Sequence, residues 1–249
     1  MVEPRRIAAI SLASRVASEL NEVLGESVGH AVRFDQILPR NGGITFTTPG
    51  TLLKIMRGDP LLSVYSHIII DEVHERDANT DLILCFLREL LPHRPDLRLV
   101  LMSALANVNI YHAYFGHQLA LVTVPGSLYS VKEYFLEDVD KLVGMPKNTE
   151  AASSDLAVPY PLLEELVVHI INYLGDGGIL CFLPGWEEIR ALQKQLAESP
   201  KLSAHPISLI LLHSSVPSSE QHLVFQPVKI GARKIVLATN IAETSITIP

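Results

Sequence analysis

Cysteine is scarce in this sequence. Two residues in 249, Cys85 and Cys181, lie far apart and in no C-x-x-C pair. A disulfide-stapled scaffold and a zinc ribbon are thereby excluded, and the low count suits a reducing compartment. No run of eighteen apolar residues occurs, so no segment reads as a membrane-spanning helix. Positive charge is not in excess either: 20 Lys and Arg stand against 27 Asp and Glu, a net charge of −7. A polybasic tail is therefore not the main partner-binding device. Several catalytic signatures are also missing. His74-Glu75 has no second His at the H-E-x-x-H position, no G-x-S-x-G is present, and no G-x-G-x-x-G opens a helix after a strand. A zincin, an α/β-hydrolase and a dinucleotide site are left without support. There is not one Gly-Lys pair, hence no G-x-x-x-x-G-K-[ST] phosphate loop.

What is present suits a folded chain. Hydrophobic residues make up 48% and charged residues 19%, enough for a sizeable core in one large or two modest domains. The charge is uneven. Residues 1–126 carry net −2, residues 127–198 net −7 and residues 199–249 net +2. Any polyanion must then be held by local groups and not by a global field. The stretch MVEPRRIAAISLASRV loosely imitates a mitochondrial presequence through Arg5, Arg6 and Arg15, but Glu3 and Glu19 count against that.

Strands and helices alternate. Helical spacing runs from Arg6 to Leu24 through Ile7, Ile10, Val16 and Leu20. Short β-rich runs follow at 30–34 and 44–48, separated by the turn 40–43, and a short helix is expected from Gly50 to Met56. SHIIID (66–71) and RLVLMSA (98–104) read as buried strands around a helix from Thr80 to Leu91, and LALVTV (119–124) as a third strand. Residues 143–159 read as a loop. Then come helix 161–174, strand 178–183, helix 185–198, strand 207–212, helix 218–225 and strand 234–239. Two blocks of such units imply an α/β fold with parallel sheets, in two lobes joined near residue 127.

Ligands bind at the carboxyl ends of strands in open parallel sheets, so the residues after each strand matter most. Asp71-Glu72-Val73-His74 follows HIII. Two adjacent carboxylates there suit a Mg²⁺–nucleotide site, one holding the cation and the other orienting or deprotonating a water. Many strands simply end in solvated acids, so the residues alone leave both readings open. Ser103-Ala104 after LVLM could link neighbouring loops by a hydrogen bond. The hydroxyl and amide cluster from Thr239 to Thr247 suits phosphate contacts or, equally, an ordinary cap. Scattered histidines such as His67, His93, His112 and His213 read as surface or satisfied core residues.

Taken in order, these segments resemble the DEAH-box RNA helicases of the branch related to RNA helicase A. EPRRIAAISLASRV (3–16) is similar to motif Ia, TTPG (47–50) to motif Ib, DEVHER (71–76) to motif II and LMSAL (101–105) to motif III. ILCFLPGWEEI (179–189) is similar to the motif IV region and RKIVLATNIAETSITI (233–248) to motif V. The resemblance implies two RecA-like lobes, residues 1–126 and 127–249, both partial, that clamp ATP·Mg²⁺ and grip single-stranded RNA by its backbone. It gives Glu72 the attacking water, and Asp71 and Glu72 the Mg²⁺. His74 would couple the nucleotide to the facing lobe, and Ser103 would relay its state toward RNA. Ser245 and Thr247 would face the nucleotide from the second lobe. Arg5, Arg6, Thr48 and Gly50 would touch RNA from the first lobe, and Ser214, Thr239 and Asn240 from the second. It implies a cytoplasmic protein, with mitochondrion and nucleus as alternatives.

Departures from the family pattern bear on activity. The phosphate loop would precede Glu3, the Q-x-x-G-R-x-G-R arginines would follow Pro249, and Leu105 stands where motif III has Thr. The expectation is thus the central part of an ATP-dependent RNA helicase. The alternative is a non-catalytic RNA-binding or interaction module with a degenerate helicase core.

Overall fold

The computed structural model describes residues 1–40, 42–104, 108–116, 119–126, 129–144, 158–243 and 248. It divides into two compact units, Met1–Val124 and Pro125–Glu243.

The first unit opens with α1 (Arg6–Glu19). Helical spacing continues to Leu24, but the helix ends earlier, because Asn21 adopts the left-handed conformation at φ 57°, which Asn tolerates better than most residues. Three strands follow, β1 (Val28–Val32), β2 (Asp35–Ile37) and β3 (Ile44–Thr47). β1 pairs parallel with β3 and antiparallel with β2, which makes this a mixed sheet where a purely parallel one was expected. The expected run 30–34 is broken because the chain reverses at Phe34, in the left-handed region at φ 66°. Next come α2 (Pro49–Gly58), β4 (His67–Ile70), α3 (Ala78–Leu90), β5 (Arg98–Leu101) and α4 (Val108–Phe115).

β4 and β5 pair in parallel. Val2 joins them to the first three strands by parallel bridges to both Thr47 and Ile70. Its N–H donates to the Ile69 carbonyl at 2.7 Å, and the Asp71 N–H donates to its carbonyl at 3.0 Å. On one face of the sheet α1 packs through Ala9, Ile10, Ala13 and Ala17 against Val28, Val32 and Phe46. The small alanines let the helix axis approach closely. A second cluster joins Leu52 and Met56 of α2, Ile83, Leu84 and Leu87 of α3, and Ile68 and Ile70 of β4.

Two strand readings are corrected. LALVTV (119–124) forms no strand, and Val122 and Val124 are more than four-fifths exposed. An apolar run becomes a strand only when an edge accepts its backbone groups, and the structure shows no ladder here. RLVLMSA shortens to Arg98–Leu101 and is only half-buried, with Arg98 and Val100 exposed.

The second unit contains α5 (Leu136–Val143), α6 (Tyr160–Tyr173), β6 (Ile179–Phe182), α7 (Trp186–Glu198), β7 (Ile207–Leu212), α8 (Ser218–Gln221) and β8 (Arg233–Ala238). Its sheet has the order β6-β8-β7, all parallel. Central β8 is the most buried strand of this sheet, as its apolar run demands. Val167 of α6 and Ile189, Leu192 and Leu196 of α7 pack on Ile179, Ile235 and Leu237. The helix expected over 218–225 is α-helical only to Gln221 and then tightens into a 3₁₀ turn over His222–Phe225. Most of the expected loop 143–159 and Leu105 lie outside the described residues, as do Ser245 and Thr247.

Candidate functional site

The register Ile70↔Leu101 brings Asp71-Glu72 beside Met102-Ser103 at the carboxyl ends of β4 and β5. Asp71 Oδ1 accepts the Glu72 N–H at 2.8 Å, which orients the first carboxylate. Glu72 is left-handed at φ 50° and Arg76 at φ 53°, and a 3₁₀ turn over Val73–Glu75 lies between them. Each such non-glycine residue stores roughly 1–3 kcal/mol, so the surroundings must hold the turn. They do so at several points. Val73 is buried and its N–H donates to the Met102 carbonyl at 3.1 Å. The Tyr111 hydroxyl of α4 donates to the Val73 carbonyl at 3.0 Å. Arg76 forms a bidentate pair with Asp81, at 2.8 and 2.9 Å, and this hydrogen-bonded guanidinium lowers the Asp81 pKa. The Asp77 carboxylate caps α3 by accepting the Asn79 and Thr80 N–H groups.

His74 ties the two strand ends together. Its Nδ1 lies 2.9 Å from Ser103 Oγ and 3.4 Å from Glu72 Oε2. Asp71, Glu72, His74 and Ser103, expected together from the motifs, therefore do converge. Among the described residues no group of three or more His, Cys, Asp or Glu is placed to hold a metal. Two neighbouring carboxylates nonetheless fit Mg²⁺, a hard cation that keeps waters and takes phosphate oxygens beside one or two protein ligands.

A second feature of this unit is an open groove of about 1190 Å³, lined among others by Arg6, Arg33, Phe34, Thr48, Gly50 and Lys54. Thr48 is the N-cap of α2, and its Oγ1 lies 3.1 Å from Thr51 Oγ1. A Cβ added at Gly50 would meet nothing within 4 Å, so the backbone there is open to approach. Arg33 lies over the Phe34 ring at 4.7 Å, and Phe34 is 89% exposed. Arg33, Phe34 and Lys54 were not among the residues expected from sequence. The only sequence hint was an Arg-Phe pair beside a β run. Arg5 is absent from the groove lining; its Nη2 lies 3.5 Å from Glu75 Oε1.

In the second unit, Ser214 follows β7, and Thr239 and Asn240 follow β8, its direct neighbour in the sheet. These three follow the carboxyl ends of two adjacent parallel strands. The Ser214 loop is held by neighbours not singled out from sequence. His213 stacks on Trp186 at 5.3 Å and accepts the Ser215 N–H at Nδ1, 3.1 Å away. Gln221 Nε2 donates to the carbonyls of His213 and Val216 at 3.0 and 2.7 Å.

Comparison with known proteins adds the following. Residues 162–249 match the helicase conserved C-terminal domain. The whole chain is 43% identical over 253 residues to ATP-dependent RNA helicase DHX30 of Gallus gallus, and covers 20% of that protein. It is 44% identical over 254 residues to the Homo sapiens DHX30, covering 21%. DExH-box ATP-dependent RNA helicase DExH3 of Arabidopsis thaliana is 37% identical over 299 residues, with 99% of this chain and 25% of that protein covered. Among solved structures, Escherichia coli DEAH/RHA helicase HrpB matches with a TM-score of 0.79 and 31% identity, over 99% of this chain and 29% of that one. The chain thus spans about a fifth of the length of the DHX30 relatives.

Proposed function

Since the chain belongs to the DEAH/DExH-box helicases, as a stretch of their length, we propose that it is the central part of an ATP-dependent RNA helicase. It would couple Mg-ATP hydrolysis to RNA binding and unwinding, with residues 1–126 and 127–249 as parts of the two lobes. The 2.9 Å contact of His74 with Ser103, beside Asp71 and Glu72, carries this reading.

In this reading Asp71 and Glu72 offer oxygen donors to Mg²⁺. ATP, when bound, would supply the phosphoanhydride bond, and Mg²⁺ the positive charge that the carboxylates would balance. Glu72 orients a water and accepts its proton, a role whose loss costs roughly 10²–10⁴ in rate. His74, 3.4 Å from that carboxylate, senses its charge and passes the change to Ser103. Ser245 and Thr247 would contact the nucleotide from the second lobe.

Arg6, Arg33 and Lys54 hold phosphates along the groove, and Thr48 with the exposed start of α2 at Gly50 adds neutral donors. Ser214, Thr239 and Asn240 do the same in the second unit. Such contacts bind single strands without reading bases. They also account for an RNA binder with a net charge of −7. The compartment proposed is the cytoplasm, with mitochondrion and nucleus as alternatives.

A second reading, a non-catalytic RNA-binding or interaction module, accounts for the groove lined by Arg6, Arg33 and Lys54 without calling on the carboxylate turn. Anisotropy titration with single-stranded RNA across salt, alongside phosphate release, tests both. The chain alone is expected to bind RNA in a salt-dependent way and to release no phosphate above background. Binding insensitive to salt refutes the RNA assignment, and robust RNA-stimulated turnover refutes the non-catalytic reading.

A further inference from the structure

The family motif makes Arg5 and Arg6 equivalent, two adjacent cations at the start of α1. The structure separates them. Arg5 is the N-cap, with extended backbone at φ −126° and ψ 143°, and successive side chains of extended backbone point to opposite sides. Pro4 and Arg6 accordingly line the groove, and Arg5 does not. Its Nε is buried, and its Nη2 lies 3.5 Å from Glu75 Oε1. The two side chains are only 21% and 23% exposed. A guanidinium so enclosed is poorly placed to meet a polyanion running along the groove.

We propose that Arg5 is a positioning residue that fixes the turn 71–76 and does not itself hold RNA. The path it closes is short. Arg6 faces the groove, Arg5 is its chain neighbour, Arg5 reaches Glu75, and the Glu75 N–H donates to the Glu72 carbonyl at 2.9 Å. RNA phosphate gripped at Arg6 is thereby linked to the turn that presents Asp71 and Glu72. Because Glu72 and Arg76 are both left-handed, that turn is a strained element whose geometry depends on what braces it. The inference rests on the RNA-binding reading above.

The test uses the whole chain, a fluorescein-labelled oligouridylate, and amide exchange at residues 73–76. Arg6→Gln is expected to reduce the slope of log affinity against log salt by about 0.7, the value for one phosphate contact on a single strand. Arg5→Gln is expected to leave the slope unchanged. RNA is expected to slow exchange at 73–76 in the wild-type chain. Arg5→Gln and Glu75→Gln should each lose that slowing, and the swapped pair Arg5→Glu with Glu75→Arg should regain it. A slope reduced by Arg5→Gln as much as by Arg6→Gln would make Arg5 a phosphate contact and overturn the proposal. So would slowing that is absent from the wild type, that survives Arg5→Gln, or that a folded swapped pair fails to regain. If the wild-type chain shows no salt-dependent binding and Arg6→Gln alters nothing, the RNA reading itself fails and takes this inference with it.

Discussion

The Tyr111 hydroxyl braces the carboxylate turn from α4, and removing it gives a measurable consequence. Tyr111→Phe keeps the ring that packs against the first unit's core and deletes only the hydroxyl that donates to Val73 at 3.0 Å. A neutral hydrogen bond contributes about 0.5–1.5 kcal/mol net. Val73 is fully buried, so its carbonyl finds no ready replacement in solvent, and a loss of about 1 kcal/mol is expected. For a unit of this size that lowers Tm by roughly 4 °C. The effect also carries a pH signature. Burial raises the Tyr111 pKa, with Asp81 adding to this and Arg76 opposing it. A folded pKa above the unfolded one means the neutral form is the one favoured by folding. Its contribution is therefore complete below the ordinary tyrosine value near 10 and is lost as pH rises through the higher folded value. Urea unfolding at neutral pH and above about pH 10.5 compares the two chains. Far-UV circular dichroism is the signal, because the single tryptophan, Trp186, belongs to the other unit. Equal unfolding midpoints at neutral pH would refute the reasoning. So would a difference that persists undiminished at high pH.

Three further outcomes are expected. Leu192→Ala in the second unit removes a fully buried side chain and should cost about 2–5 kcal/mol, read from Trp186 fluorescence during urea unfolding. Asp81, whose pKa is lowered first by its hydrogen bond from Arg76, contributes stability that is present above the ordinary carboxylate range and is lost as pH falls through its folded value; Asp81→Asn should flatten that part of the acid-unfolding curve. Lys54→Gln should reduce the RNA salt slope by about 0.7, and an unchanged slope would remove Lys54 from the groove's phosphate contacts.

Elements whose burial is set by their own periodicity were legible in the residues. β4, β7 and β8 announce themselves as apolar runs, and α3, α6 and α7 appear within a residue or two of their expected bounds. The carboxylate turn was legible for a similar reason, since adjacent acids after a buried strand need no distant partner to be noticed. LALVTV shows where this logic stops. Its apolar run resembles that of β8, but a strand also requires an edge to pair with, and no local pattern reports that.

By itself the amino-acid sequence determined the α/β character, the order of the main elements and the motif string that marks the family. Only the tertiary structure decided that Val2 stitches two parts of one sheet together, that Phe34 and Arg33 reach a groove begun by Arg6, and that Arg5 turns instead toward Glu75, 70 residues away. The physical reason is range. Periodicity and strand-end chemistry are written between neighbours in the chain, whereas which cation meets which anion depends on packing between distant segments, and the side of the backbone on which a charge emerges can reverse from one residue to the next.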